Sequence, residues 1–139
     1  MREHTSHFRV GFGDTDSTGR VYFPVYVRWI DEAFIEMLRL AGVTFKPDGG
    51  LRVDEETLGI TFVIGEYSCR IESPSTYDDQ ILVRVHVEEV RKKVLRVEAL
   101  ISTPAQDLIL AKGGITYVCV DMSSGKSAEI PDKILSRIL

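Results

Sequence analysis

Cysteine is scarce in this chain, at two residues in 139. Cys69 and Cys119 stand far apart and neither belongs to a Cys-x-x-Cys pair, so reduced, buried thiols are expected rather than a disulfide or a metal pair. Positive charge is short as well. Seventeen Lys and Arg face 21 Asp and Glu, and the net charge of −4 argues against the broadly basic face that a nucleic-acid partner requires. No apolar run approaches the ~20 residues that span a bilayer, so no membrane partner is expected. The opening MREHTSHFRV has no apolar core of the secretory kind, and the expected compartment is the cytoplasm. His4, His7 and His86 each stand alone on polar stretches and are expected to be exposed. There are no repeats and no low-complexity segment. What remains is ordinary: a hydrophobic share of 44% and a length that suits one domain over residues 1–139 with a real core.

The stretch from Phe12 to Gly42 organises the rest. Ile30, Phe34, Met37, Leu38 and Ala41 fall at helical spacing and form one apolar stripe. Arg28, Glu32, Glu36 and Arg39 lie on another face, where Arg28–Glu32 and Glu36–Arg39 form weak pairs. Pro24 suits the first helical turn and Gly42 a left-handed exit. In front of the helix lies a loop with two carboxylates, Asp14 and Asp16, and a turn-forming Gly19. Acid beside a helix N-terminus, where backbone N–H groups point outward unsatisfied, marks the place for chemistry.

The remainder reads as strands. Residues 7 to 12 alternate, with Phe8, Val10 and Phe12 on one face. Residues 43 to 57, with Pro47, Gly49 and Gly50, read as a polar connection. Along 60–71 the apolar parity switches at Gly65–Glu66, which predicts a bulge. SPSTYDD (73–79) is a turn. Residues 81–88 and 95–101 alternate as strands about a turn at Arg91-Lys92-Lys93, and Pro104 to Asp107 turns the chain again. Leu108 to Val120 is apolar on both faces and broken by Gly113-Gly114, as an interior, bent strand would be. A short helix is expected over 132–139. One long helix and about five antiparallel strands give an α+β layer structure. A single helix covers one face of so wide a sheet, which points to an oligomer.

The run GDTDSTGRVYFPVYVRWIDEA (13–33) resembles the N-terminal motif of the hotdog-fold acyl-CoA thioesterases of the 4-hydroxybenzoyl-CoA thioesterase type, GD-x-D-x-x-G-x-V-[YW]. The resemblance extends to TYDD (76–79) and to the basic turn. It implies a hotdog fold, with an antiparallel sheet of about five strands wrapped around one long central helix. It further implies hydrolysis of acyl-CoA to free acid and CoA without a cofactor. Asp16 matches the family's catalytic carboxylate, as nucleophile or general base, and the backbone N–H of Phe23 the donor that polarises the thioester carbonyl. Many relatives carry His where this chain has Phe23, which removes one acid–base helper. The resemblance also implies CoA binding across a subunit interface, with Arg91, Lys92 and Lys93 near its phosphates, in a homodimer or homotetramer.

The residues suit that chemistry. A carboxylate can attack a thioester or activate water, and a helix N-terminus offers preorganised donors to the oxyanion. Tyr22, Phe23, Tyr26 and Trp29 flank the helix start, in part core and in part acyl pocket, with Tyr22 and Tyr26 as substrate-binding candidates. Asp14 is expected to hold the turn. Asp14-x-Asp16 lacks a third ligand at a matching local spacing, so no metal is expected. Glu32 and Glu36 are reserve acids on the helix. Two rivals stand beside this reading. A hotdog dehydratase or hydratase would need a His–Asp pair, and no His stands near the motif. A non-catalytic acyl-CoA binding module would not need the acid.

Overall fold

The computed structural model describes residues 2–105 and 107–139. Eight strands and two helices follow in chain order: β1 (Glu3–Arg9), α1 (Phe23–Leu40), β2 (Val43–Phe45), β3 (Leu51–Val53), β4 (Glu56–Thr57), β5 (Ile60–Ile71), β6 (Gln80–Arg91), β7 (Val94–Ser102), β8 (Ile109–Asp121) and α2 (Asp132–Ile138). Five of the strands form one antiparallel sheet in the order β1-β6-β7-β8-β5, and β2, β3 and β4 form a small second sheet.

Helix α1 forms where its apolar stripe requires it. Tyr26, Trp29, Ile30, Ala33, Phe34, Met37 and Leu38 are buried on one side of it. The stripe packs on the inner faces of the sheet, where Val83, Val85, Leu95, Val97, Ile101 and Ile115 are fully buried. Trp29 stacks on Phe8 at 5.8 Å between ring centroids, and Phe34 meets Tyr117 at 4.6 Å. Each such side chain contributes about 1.5–3 kcal/mol by leaving water. The helix starts with Pro24 in its first turn and leaves through Gly42 at φ +84°. Arg137 of α2 closes that end. It donates to the Ala41 carbonyl at 3.0 Å and pairs with Asp54 at 2.8 Å, which satisfies a helix-end acceptor.

The parity switch read at Gly65–Glu66 is a bulge, with the β5–β8 register shifting between Ile64 and Glu66. Farther along the same pair, Gly113, opposite Cys69, lets β8 approach its neighbours: a Cβ there would lie 2.5 Å from the Ser68 carbonyl oxygen and 3.1 Å from Ile30 Cδ1. Strand β5 is an outer edge of the sheet, and Val63, Ile64, Tyr67 and Ile71 on it are exposed.

Several expectations are corrected. The first strand begins earlier and ends at Arg9, because Phe12 to Asp14 coil into a 3-10 turn that leaves Phe12 exposed. Inward positions on β1 are the even ones, so His4 is half-buried and bonded to Ser6 Oγ at 2.9 Å rather than exposed. Residues 43–57 are not a plain connection. They hold the three short strands of the second sheet, which buries Val43 and Leu51. Cys119 is buried as expected, whereas Cys69 is only half-buried, and both thiols are free. The turn expected at Pro104–Asp107 includes Gln106, which lies outside the described residues.

Candidate active site

The two loop carboxylates have different surroundings. Asp14 is held on both oxygens. Arg28 Nη2 donates to Oδ1 at 2.7 Å and the Gly11 N–H to Oδ2 at 2.8 Å, while its own carbonyl accepts the Tyr22 N–H at 2.8 Å. Partial burial raises its carboxyl, but Arg28 and the Gly11 N–H outweigh that and hold it below the usual value. Asp14 thus ties the loop to the helix.

Asp16 is exposed, and its bonds fall on one oxygen. Thr18 donates twice to Oδ1, from N–H at 2.8 Å and from Oγ1 at 2.6 Å. Oδ2 has no partner among the described residues. The side-chain and backbone bonds from Thr18 hold this carboxyl below its ordinary value of 3.8, with the charge of Arg20 as a smaller contribution. The loop's shape comes from its own backbone. Asp16 N–H donates to the Arg20 carbonyl at 2.9 Å, Gly19 N–H returns to the Asp16 carbonyl at 3.0 Å, and Gly19 takes φ +78°, which favours glycine. The Val21 N–H then donates to the Ser75 carbonyl at 2.8 Å, docking the loop on the 73–79 turn.

Phe23 is the first residue of α1, so its N–H has no intrahelical acceptor. Its ring is 64% exposed and tilts against Tyr22 at 5.0 Å. Two cavities meet there, sharing Phe23 and Ile71. One, of about 360 Å³, is polar and carries Asp16, Thr18, Arg20, Glu72 and Ser73 on its walls. The other, of about 550 Å³, lies between the helix start and β5 and is lined by Pro24, Val27, Tyr67 and Cys69 with no charged side chain. Asp16 and Phe23 therefore line one cleft. Tyr26 also borders it but is buried, and burial raises its phenol. The polar groups of Ser75 work against that rise. Tyr22 is half exposed beside Phe23, and Trp29 belongs to the core.

The basic turn is elsewhere. Arg91 ends β6 and bonds Glu89 at 2.8 Å, and Lys92-Lys93 make the hairpin into β7. The Asp16 loop docks at the other end of β6, where Arg20 bridges Thr76 and the Val10 N–H donates to the Asp79 carbonyl at 2.9 Å. Twelve residues of strand lie between, roughly 40 Å at about 3.3 Å each. One chain does not bring Asp16 and Lys92 together.

Glu32 and Glu36 pair with Arg28 at 3.7 Å and Arg39 at 3.6 Å, at exposed positions. The helix acid that sequence reasoning missed is Asp31. Tyr117 donates its hydroxyl to Asp31 Oδ1 at 2.7 Å beside a cavity of about 230 Å³. Burial, followed by the charge of Asp31 and that bond, raises the phenol far above its normal range. The available signal was that Asp31 flanks the apolar stripe, one residue beyond Ile30. Arg20, Glu72, Tyr67 and Cys69 were also missed, because only folding gathers them.

A sequence profile described as the Thioesterase-like superfamily matches residues 10–138. The chain belongs to that superfamily. Among curated relatives of this thioesterase-like chain, a 1,4-dihydroxy-2-naphthoyl-CoA hydrolase of Nostoc punctiforme is 28% identical over 127 residues, covering 91% of this chain and 80% of the relative. The acyl-CoA thioesterase YbgC of Haemophilus influenzae is 26% identical over 126 residues, covering 91% and 87%. The solved structure of a gentisyl-coenzyme A thioesterase is 27% identical with a TM-score of 0.78, over 97% of this chain and 99% of that one. The fold is the hotdog, a five-stranded antiparallel sheet around the long helix α1.

Proposed function

We infer that this chain is an acyl-CoA thioesterase, with Asp16 as its catalytic carboxylate and the Phe23 N–H as the donor to the oxyanion. The observation that carries this reading is the meeting, in one cleft, of a carboxylate with a free Oδ2 and the first residue of a long helix. The relatives that act on acyl-CoA esters support it. Asp16 serves as nucleophile or as general base, and in either role it works as the anion. As nucleophile, Oδ2 adds to the thioester carbon and the carbonyl oxygen becomes an oxyanion facing the Phe23 N–H. Collapse expels CoA as its thiolate, leaving an acyl–Asp16 anhydride. Water then cleaves the anhydride to the free acid, restores the carboxylate and supplies the proton balance.

The working unit in this reading is at least a dimer. Strand β5 is an apolar, unpaired edge next to the uncharged cavity. Antiparallel pairing of two β5 strands sets the Asp16 end of one subunit beside the basic-turn end of the other. That brings Arg91, Lys92 and Lys93 toward the phosphates of CoA bound at the partner's Asp16, and it shields an aspartate that one chain leaves in water.

Thiol release from a panel of aryl- and alkyl-CoA esters tests the activity, and Asp16→Asn tests the site. The amide neither attacks nor accepts a proton, so kcat should fall by at least ~10²–10⁴-fold in a folded protein. Near-normal kcat would move the role to a helix acid.

A further inference from the structure

Resting on the thioesterase reading, we propose that the polar cleft beside Asp16 is the subsite for the pantetheine arm of CoA, with Arg20 and Glu72 binding its amides. The uncharged cavity on the other side of Phe23 then takes the acyl group.

The charges in the two cavities set this direction. The cleft carries two carboxylates, Asp16 and Glu72, against one guanidinium, Arg20. An anionic phosphate or an acyl carboxylate meets net repulsion there. A neutral chain that bears both donors and acceptors is matched on each side. Arg20 has donors only, Glu72 acceptors only, and Ser73 both. Pantetheine is such a chain, with two amides between the thiol and the phosphates. Arg20 makes no ion pair with any described residue, so its guanidinium is available to an amide oxygen. The cleft's ~360 Å³ also falls in the range of small-molecule sites.

The opposite cavity has no group to receive a charge. Its polar members are Ser68, the Tyr67 hydroxyl and the half-buried Cys69, whose thiol burial raises. A thioester laid across Phe23 with its sulfur toward Arg20 therefore places an uncharged acyl chain between Val27 and Tyr67. It also leaves the carbonyl at the start of α1. The loop holds Arg20 in register, because the carbonyl of Arg20 accepts the Asp16 N–H and its backbone bridges Thr76.

The test compares two thioesters of one neutral acid, one with CoA and one with ethanethiol, which has no amide. In Arg20→Met and Glu72→Gln, the ratio of kcat/KM for the CoA ester to that for the ethyl ester should fall about tenfold, through KM. A residue that only tunes Asp16 lowers both substrates equally and leaves the ratio intact, which would overturn the proposal. Binding of pantetheine itself, read by calorimetry without turnover, keeps this separate from the thioesterase reading. About tenfold weaker binding in both variants supports the subsite whatever the wild type hydrolyses. Unchanged binding sinks it.

Discussion

Arg28 reaches from the second turn of α1 to Asp14 at 2.7 Å, and so fixes the loop that carries Asp16 without touching Asp16 itself. One aspartate of the pair is consumed by the fold and the other is left exposed with a free oxygen. In the proposed mechanism, shape and chemistry are divided between two residues two positions apart.

Asp14→Asn should consequently lower stability by about 1 kcal/mol, since its side chain is 15% exposed and holds two donors. Its effect on kcat should be much smaller than that of Asp16→Asn. Urea unfolding of both variants, beside thiol-release kinetics, separates the two roles. The Asp14 carboxyl is depressed in the folded chain, so its contribution is present above the unfolded value of 3.8 and is lost as pH falls below it. The wild type should therefore lose its stability margin over Asp14→Asn only in strong acid.

Activity should show a matching acid limb. In the proposed mechanism Asp16 works as the anion, and the bonds from Thr18 hold its carboxyl below the ordinary value, so kcat/KM should stay level through the ordinary carboxylate range and fall only beneath it. Thr18→Val removes the hydroxyl bond to Oδ1 and should move the limb upward. A pH profile of the free enzyme reports this group directly. An identical limb in Thr18→Val would detach it from Asp16.

The helix and its partners were legible because periodicity over a long window is a strong signal. The stripe from Ile30 to Leu38, Gly42 at the exit and the kink at Gly65 all stand where the pattern put them. The three short strands between Val43 and Thr57 were hidden, because three residues are too few to show alternation among Pro47, Gly49 and Gly50. Phe12 misled, since its parity matched Phe8 and Val10 while the chain had already turned at Gly11. Asp16 and Phe23 could be read as neighbours because they lie in one continuous motif. Arg20 and Glu72 could not, since α1 and the four strands β2 to β5 separate them in sequence and only the docked 73–79 turn brings them together.

Tyr117 donates to Asp31 from a nearly fully buried position. Tyr117→Phe keeps the ring packing on Phe34 but leaves Asp31 Oδ1 without that donor. It should cost about 1–2 kcal/mol, read by thermal or urea unfolding. Asp31→Asn in the same background should restore part of it, because a neutral amide is less costly to leave unpaired.

Gly113→Ala should destabilise by about 1–3 kcal/mol, as the new methyl would overlap the Ser68 carbonyl oxygen on β5 and crowd Ile30 on α1. Gly125→Ala, with open space around its Cβ position but φ +73°, tests strain without crowding. A larger loss for Gly113→Ala in urea unfolding would show that the close approach of β5, β8 and α1 limits the core.

The opposite placement of Asp16 and the Lys92-Lys93 turn along β6 gives a test of the shared site that needs no structure of the dimer. Each site in the proposed dimer takes its aspartate from one subunit and its basic turn from the other. Asp16→Asn should be inactive, and Lys92→Ala with Lys93→Ala should raise KM while leaving kcat nearly unchanged, because phosphate contacts are equal in ground and transition states. Unfolding and refolding an equal mixture of the two should yield heterodimers with one doubly altered site and one wholly intact site. With random pairing, the intact sites should restore about a quarter of the wild-type rate at low substrate, where a raised KM is most visible. Raising the salt should weaken CoA binding at those intact sites as in the wild type, and less in the basic-turn variant alone. A mixture that shows only the average of the two separate variants would overturn the shared site, and an unchanged KM and salt response in the basic-turn variant would leave that turn a solvated hairpin with no part in binding.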